Sequence, residues 1–141
     1  MEKNGGTSVP IEYLSFKERR INPDDLMRLY RQAGWWEERE ETAIEKVLNS
    51  GDAVGAWDGN DLVGFARAVS DGEFRAYIED VVIDKEYWNT GTGTLVVSRL
   101  LDELAHIDVI SLFCEKELIP FYEKNNFKMS SSQHVLHRKK R

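Results

Sequence analysis

The segment Ile78-Glu79-Asp80-Val81-Val82-Ile83-Asp84-Lys85-Glu86-Tyr87-Trp88-Asn89-Thr90-Gly91-Thr92-Gly93-Thr94-Leu95 constrains the fold more than any other stretch. It reads as an apolar strand, a loop with glycines two residues apart, and the start of a helix. Backbone N–H groups at such a helix start have no intrahelical acceptor. Glycines let an anion come close to them, and the helix dipole adds attraction. The expectation is a phosphate cradle made of backbone. It is not a nucleotide P-loop, which needs G-x-x-x-x-G-K-[ST]. Nor is it the dinucleotide fingerprint, because Val96 stands where a third small residue is required.

The rest of the chain supplies a frame for that unit. A first strand is expected at residues 11–16. Asn22-Pro23-Asp24-Asp25 is a helix start: Asn caps, Pro fits the first turn, and the acids face the positive end of the dipole. Leu26, Leu29, Tyr30 and Ala33 follow at helical spacing, and Gly34 ends the run. A second helix carries Ile44, Val47 and Leu48. Residues 53–57 and 62–69 flank the turn Asp58-Gly59-Asn60-Asp61, and Asp71-Gly72 leads into 74–83, so three strands form an antiparallel meander. A helix with Val97, Leu100, Leu101 and Leu104 on one face follows the glycines. Then come a short buried strand at 109–114, a short helix at 118–124, and closing strands at 127–129 and 135–137. The expected class is α/β: a mixed, mostly antiparallel sheet flanked by helices on both faces.

At 141 residues, with 41% hydrophobic residues, the chain suits a single domain spanning 1–141, with a flexible start at 1–8 and a basic tail at 139–141. The net charge of −6 argues against a nucleic-acid partner. No apolar run reaches the ~18 residues of a membrane span. The single cysteine, Cys114, forms no intrachain disulfide and suits a reducing compartment, so a cytoplasmic location is expected.

Two blocks resemble the GNAT superfamily of N-acetyltransferases. Trp88-Asn89-Thr90-Gly91-Thr92-Gly93 is similar to that family's [QR]-x-x-G-x-[GA] signature in both glycines and in its strand-to-helix context. Trp88 replaces the Gln or Arg, which removes one polar side chain from the phosphate side. Phe121-Tyr122-Glu123-Lys124-Asn125-Asn126-Phe127 is similar to the later F-Y-x-K-x-G-F motif, with Asn126 at a left-handed position that Asn tolerates. The resemblance covers residues 11–138. It implies a GNAT-like fold and acetyl-CoA as co-substrate, with the pantetheine arm along the backbone of Val81, Val82 and Ile83. It also implies the pyrophosphate on Asn89, Thr90, Gly91, Thr92, Gly93 and Thr94, and Tyr122 near the thioester sulfur. It is compatible with a homodimer.

Acetyl transfer to an amine needs a neutral nitrogen, yet an alkylammonium has a pKa near ~10, so a base must take its proton. Glu79 and Asp80 are the candidates, because both interrupt an apolar strand and buried carboxylates are costly. Strand alternation puts Tyr77, Glu79 and Val81 on one face and Ile78, Asp80 and Val82 on the other unless a bulge intervenes. Glu79 is the favoured base, and Asp80 a hydrogen-bond organiser on the opposite side. Tyr122 is the candidate acid for the departing thiolate. Trp35 and Trp36, beside Glu37 and Glu38, are candidates to wall the site of a small-molecule amine, cationic or aromatic; the alternative is core packing. Cys114 reads as a buried structural thiol rather than an acyl carrier. His106, His134 and His137 have no metal-site spacing, and the chemistry needs no metal. The expected activity is N-acetyl transfer by direct attack in a ternary complex. The alternative is a non-catalytic acyl-CoA-binding or sensing module with the same fold.

Overall fold

The computed structural model describes residues 10–35 and 38–140. The expected flexible start therefore lies outside the described residues, as do Trp36, Glu37 and Arg141.

Local chemistry fixes the first helix, α1 (Pro23–Ala33). The Asn22 side chain accepts from the Asp24 N–H at 2.9 Å, Pro23 occupies the first turn, and Gly34 caps the end at φ 75°. Leu26, Leu29 and Tyr30 are the face it buries. Helix α2 (Glu41–Ser50) buries Ile44 and Leu48.

Five strands form one sheet in the order β1 (Glu12–Ser15), β2 (Asp52–Asp58), β3 (Asp61–Ser70), β4 (Arg75–Ile83), β5 (Val109–Leu112). The first four pair antiparallel, as the short turns of the meander require. β5 joins parallel to β4, which demands a crossover, and α3 (Thr92–Glu103) provides it. A short α4 (Ile119–Glu123) follows.

Helices cover both faces. Ile44, Leu48, Leu26, Leu29 and Tyr30 pack with Phe65, Leu62 and Val82 on one side. Val96, Val97, Leu100 and Tyr122 pack with Val54, Ala66 and Ile78 on the other.

Three expectations are corrected. Among the described residues, 127–129 and 135–137 form no strands; Val135 and Leu136 are exposed. A single exposed apolar pair beside a basic end buries too little surface to offset strand ordering. β5 ends at Leu112 rather than Cys114 and is half-exposed, because it is the edge of the sheet. Cys114 is consequently exposed, not buried.

The alternation along β4 is also corrected. Arg67 lies opposite Glu79 and Phe65 opposite Val82, so Ala66 alone faces both Asp80 and Val81. This is a β-bulge, with Asp80 at φ 52°. Ile78 packs toward α3, while beyond the bulge Val82 packs toward α1 and Val81 and Ile83 toward α3. The extra residue shifts the phase by one, so Asp80 turns to the same side as Glu79.

Candidate active site

β4 and β5 part company at a definite point. Their pairing ends at Ile78 opposite Leu112, and residues 79–83 continue with only β3 beside them. One backbone edge of 79–83 thus faces a fork whose other wall is the chain leaving β5. Val81, Val82 and Ile83, the residues expected to meet the pantetheine arm, line this stretch.

The glycine loop lies just beyond the fork. Arg28 holds it against α1, donating to the Leu62 carbonyl at 2.7 Å and pairing with Asp84 at 3.1 Å. The Gln32 side chain accepts from the Lys85 N–H at 3.1 Å. Asp84 caps a single 3-10 turn by accepting from the Glu86 N–H, and Tyr87 hydrogen-bonds Asp58. Asn89 and Gly91 both adopt left-handed backbone, at φ 62° and 87°. Gly91 is the N-cap of α3 and offers no side-chain acceptor. The first-turn N–H groups of Thr92, Gly93 and Thr94 therefore have no partner within the helix or from its cap residue. The Thr90 hydroxyl bonds the Tyr87 carbonyl and the Thr92 hydroxyl, at 2.5 and 2.8 Å.

Gly93 has a second reason to be glycine. A Cβ there would lie 2.9 Å from the Phe121 ring, so the bare backbone lets α4 approach the start of α3. Asn125 fixes the same junction by donating to the Thr94 carbonyl at 3.1 Å. Asn126 is left-handed, at φ 68°, as expected from its place in the motif. Trp88 is exposed, and its indole N–H donates to the Ile83 carbonyl at 3.0 Å.

Tyr122 is nine-tenths buried among Phe121, Phe127 and the α3 core. Its hydroxyl makes no hydrogen bond with another described residue. Burial, with a smaller contribution from Cys114, pushes its pKa up to about 12, so the phenol stays protonated at neutral pH.

On the α1 side of β4 sits a charged cluster. Asp80 Oδ2 accepts from Arg67 Nε at 2.8 Å, from the Tyr30 hydroxyl at 3.1 Å and from Arg39 Nη1 at 3.2 Å. The Asp80 side chain is only 2% exposed, so these partners are what permit its charge. Burial first, and then the Asp80 charge, push the Tyr30 hydroxyl well above its ordinary range. Glu79 is half-buried next to this cluster. Burial, and then Asp80, raise its carboxyl above the usual value, against Arg67 and Arg39, which lower it. A carboxylate raised toward neutrality and open to solvent can accept a proton.

Trp35 packs at 6.4 Å from Tyr30, at the edge of the core beneath this cluster. Trp36 lies outside the described residues. Sequence reasoning missed Tyr30, Arg39 and Arg67. Arg67 had a visible signal, a single charge between Ala66 and Ala68 in an apolar strand; Arg39, in an acid-rich loop, had none. Among the described residues no His, Cys, Asp and Glu cluster could hold a metal, and no helix is long and apolar enough to cross a membrane.

The chain belongs to the GNAT family: residues 18–127 match the Acetyltransferase (GNAT) family. The chain is 36% identical over 121 residues to an N-acetyltransferase, ycf52, of Pyropia yezoensis, covering 82% of this chain and 69% of that one. It is 35% identical over 98 residues to serotonin N-acetyltransferase 2, chloroplastic, of Oryza sativa subsp. japonica, covering 64% and 49%. A probable acetyltransferase of Meticillin-resistant Staphylococcus aureus, SA2161, has the same fold at TM-score 0.79 and 20% identity, covering 93% of this chain and 100% of that one.

Proposed function

We propose that the protein transfers the acetyl group of acetyl-CoA to the nitrogen of a small cationic or aromatic amine, by direct attack with both substrates bound. The observation that carries this reading is the fork: past Ile78 β4 runs on without β5 beside it, and its stretch 81–83 leads straight to the helix start at Gly91. The edge suits the amide-bearing arm of the cofactor, and the N–H groups of Thr92, Gly93 and Thr94 suit its pyrophosphate, with Asn89 and Thr90 shaping the approach.

Acetyl-CoA supplies a thioester, whose carbonyl carbon takes the amine lone pair and whose thiolate leaves. Glu79 takes the proton of the incoming ammonium, directly or through one water, because its raised pKa brings it closer to the amine than an ordinary carboxylate. Tyr122 holds a proton for the departing sulfur. Asp80 is a positioning residue: it pins Arg67, Arg39 and Tyr30, and its charge keeps Glu79 basic. Trp35 walls the acceptor side. The name of the rice relative makes an arylalkylamine the first acceptor to try.

The test combines a melt with a turnover assay. Acetyl-CoA at millimolar concentration should raise the melting temperature, since it binds only the native state. Thiol release against a panel of amines should then give turnover with at least one of them. Binding without turnover across the panel would favour the binding-module alternative; no binding would end the reading.

A further inference from the structure

Trp88 is 58% exposed and belongs to neither apolar core, yet its ring is held in place. The indole N–H donates to the Ile83 carbonyl at 3.0 Å. The direction of that carbonyl follows from its own peptide group. The Asp84 N–H of the same peptide donates to the Val63 carbonyl of β3 at 2.8 Å. A planar trans peptide sends its C=O and its N–H opposite ways, so the Ile83 carbonyl points away from β3. That is the side of β4 which β5 leaves uncovered beyond Ile78. The indole is therefore anchored on the fork edge of β4, between the strand and the helix N-cap Gly91. An exposed tryptophan fixed by its N–H presents an apolar ring face to whatever lies beside it.

We propose that Trp88 is a cofactor-binding residue whose indole takes the branched, apolar segment of coenzyme A that lies between its amides and its pyrophosphate. Under the proposed function, on which this assignment rests, the order of groups on the cofactor matches the order of groups on the chain. Read from the thiol, the cofactor carries two amides, then a carbon bearing two methyl groups, then the pyrophosphate. The site offers the backbone of 81–83, then the Trp88 ring, then the N–H groups of Thr92, Gly93 and Thr94. The Ile83 carbonyl already has the indole as its donor, so the polar contacts of the arm end where the ring begins. Covering the indole face with that segment removes apolar surface of both partners from water. Trp88 stands where the family signature has a polar Gln or Arg. It thereby moves part of the binding from the charged end of the cofactor to its apolar middle.

Tryptophan emission tests this, with the difference between wild type and Trp88→Phe isolating the exposed indole. Wild type, Trp88→Phe and Trp88→Gln are titrated with coenzyme A and with two of its fragments. Phosphopantetheine keeps the arm and lacks the nucleotide; adenosine 3′,5′-bisphosphate keeps the nucleotide and lacks the arm. The Trp88 emission should shift to the blue with coenzyme A and with phosphopantetheine, as the arm dries the ring, and stay in place with the nucleotide. Trp88→Phe keeps an apolar ring and should bind phosphopantetheine within about threefold of wild type. Trp88→Gln should bind it about tenfold more weakly and bind the nucleotide unchanged. A blue shift with the nucleotide alone would put the ring on the adenine and overturn the proposal. So would coenzyme A that raises the melting temperature without moving the Trp88 emission, or phosphopantetheine that binds Trp88→Gln as tightly as wild type. If neither coenzyme A nor acetyl-CoA raises the wild-type melting temperature, the acetyltransferase reading beneath it fails instead.

Discussion

Phe121 lies so close over Gly93 that a single added methyl group would stand 2.9 Å from its ring. The two signature blocks therefore touch, and one glycine sets their spacing. Gly93→Ala should destabilise the protein by about 1–3 kcal/mol through overpacking. Phe121→Leu in the same chain should recover part of the loss, which a double-mutant cycle of urea melts will reveal. Gly91→Ala meets open space and costs only its left-handed backbone, about 1 kcal/mol, with no rescue by Phe121→Leu.

Tyr122→Phe should separate chemistry from folding. The hydroxyl has no partner among the described residues, so stability at pH 7 should change by less than about 1 kcal/mol, while kcat falls ~10²–10⁴-fold and cofactor affinity holds. The native tyrosine keeps its proton above the unfolded value of about 10. Its contribution to stability is thus complete below that pH and is lost as pH rises toward about 12. Alkaline melts of the Phe variant should lack that slope.

Glu79→Gln should depress the rate most below neutral pH and be partly rescued as pH rises, when more of the amine is already deprotonated. Its effect on folding has the opposite sign. A raised native pKa stabilises below the unfolded value of about 4.3 and loses that contribution as pH rises through the native value. Glu79→Gln should therefore gain stability relative to wild type between acid and neutral pH in paired denaturant titrations.

Asp80→Asn leaves Arg67, 13% exposed at its side chain, without its carboxylate. The expected cost is on the order of 3 kcal/mol. Because the Asp80 charge raises Glu79, the acid limb of the kcat/KM profile should also move to lower pH. A purely structural Asp80 would lower stability and leave that limb in place.

These predictions divide along the line between what periodicity can reveal and what it cannot. Asn22, Gly34 and the α1 stripe were legible because caps and helical spacing are local. Gly91 and Asn126 were legible because left-handed backbone selects few residues. The bulge at Asp80 was not, since an inserted residue leaves the apolar pattern of 78–83 looking continuous. The exposure of Cys114 was equally hidden. An apolar run such as 109–114 reads as buried wherever it lies, and only the absence of a neighbour beyond β5 makes it an edge. The Asp80 cluster joins α1, the following loop, β3 and β4, a convergence that no spacing records.

The one-residue slip in β4 also makes Asp80 a spacer. Delete it, and Val81 alone falls opposite Ala66, with Phe65 still opposite Val82 and Gly64 opposite Ile83. Alternation then runs unbroken, so Val81 and Ile83 keep the α3 core and Val82 the α1 core. What goes is the left-handed kink and the carboxylate that Arg67, Tyr30 and Arg39 share. Flattening the bulge while keeping the residue would instead send every later side chain to the opposite face. The extra residue thus adds a charged group to the α1 side without disturbing the apolar frame around it.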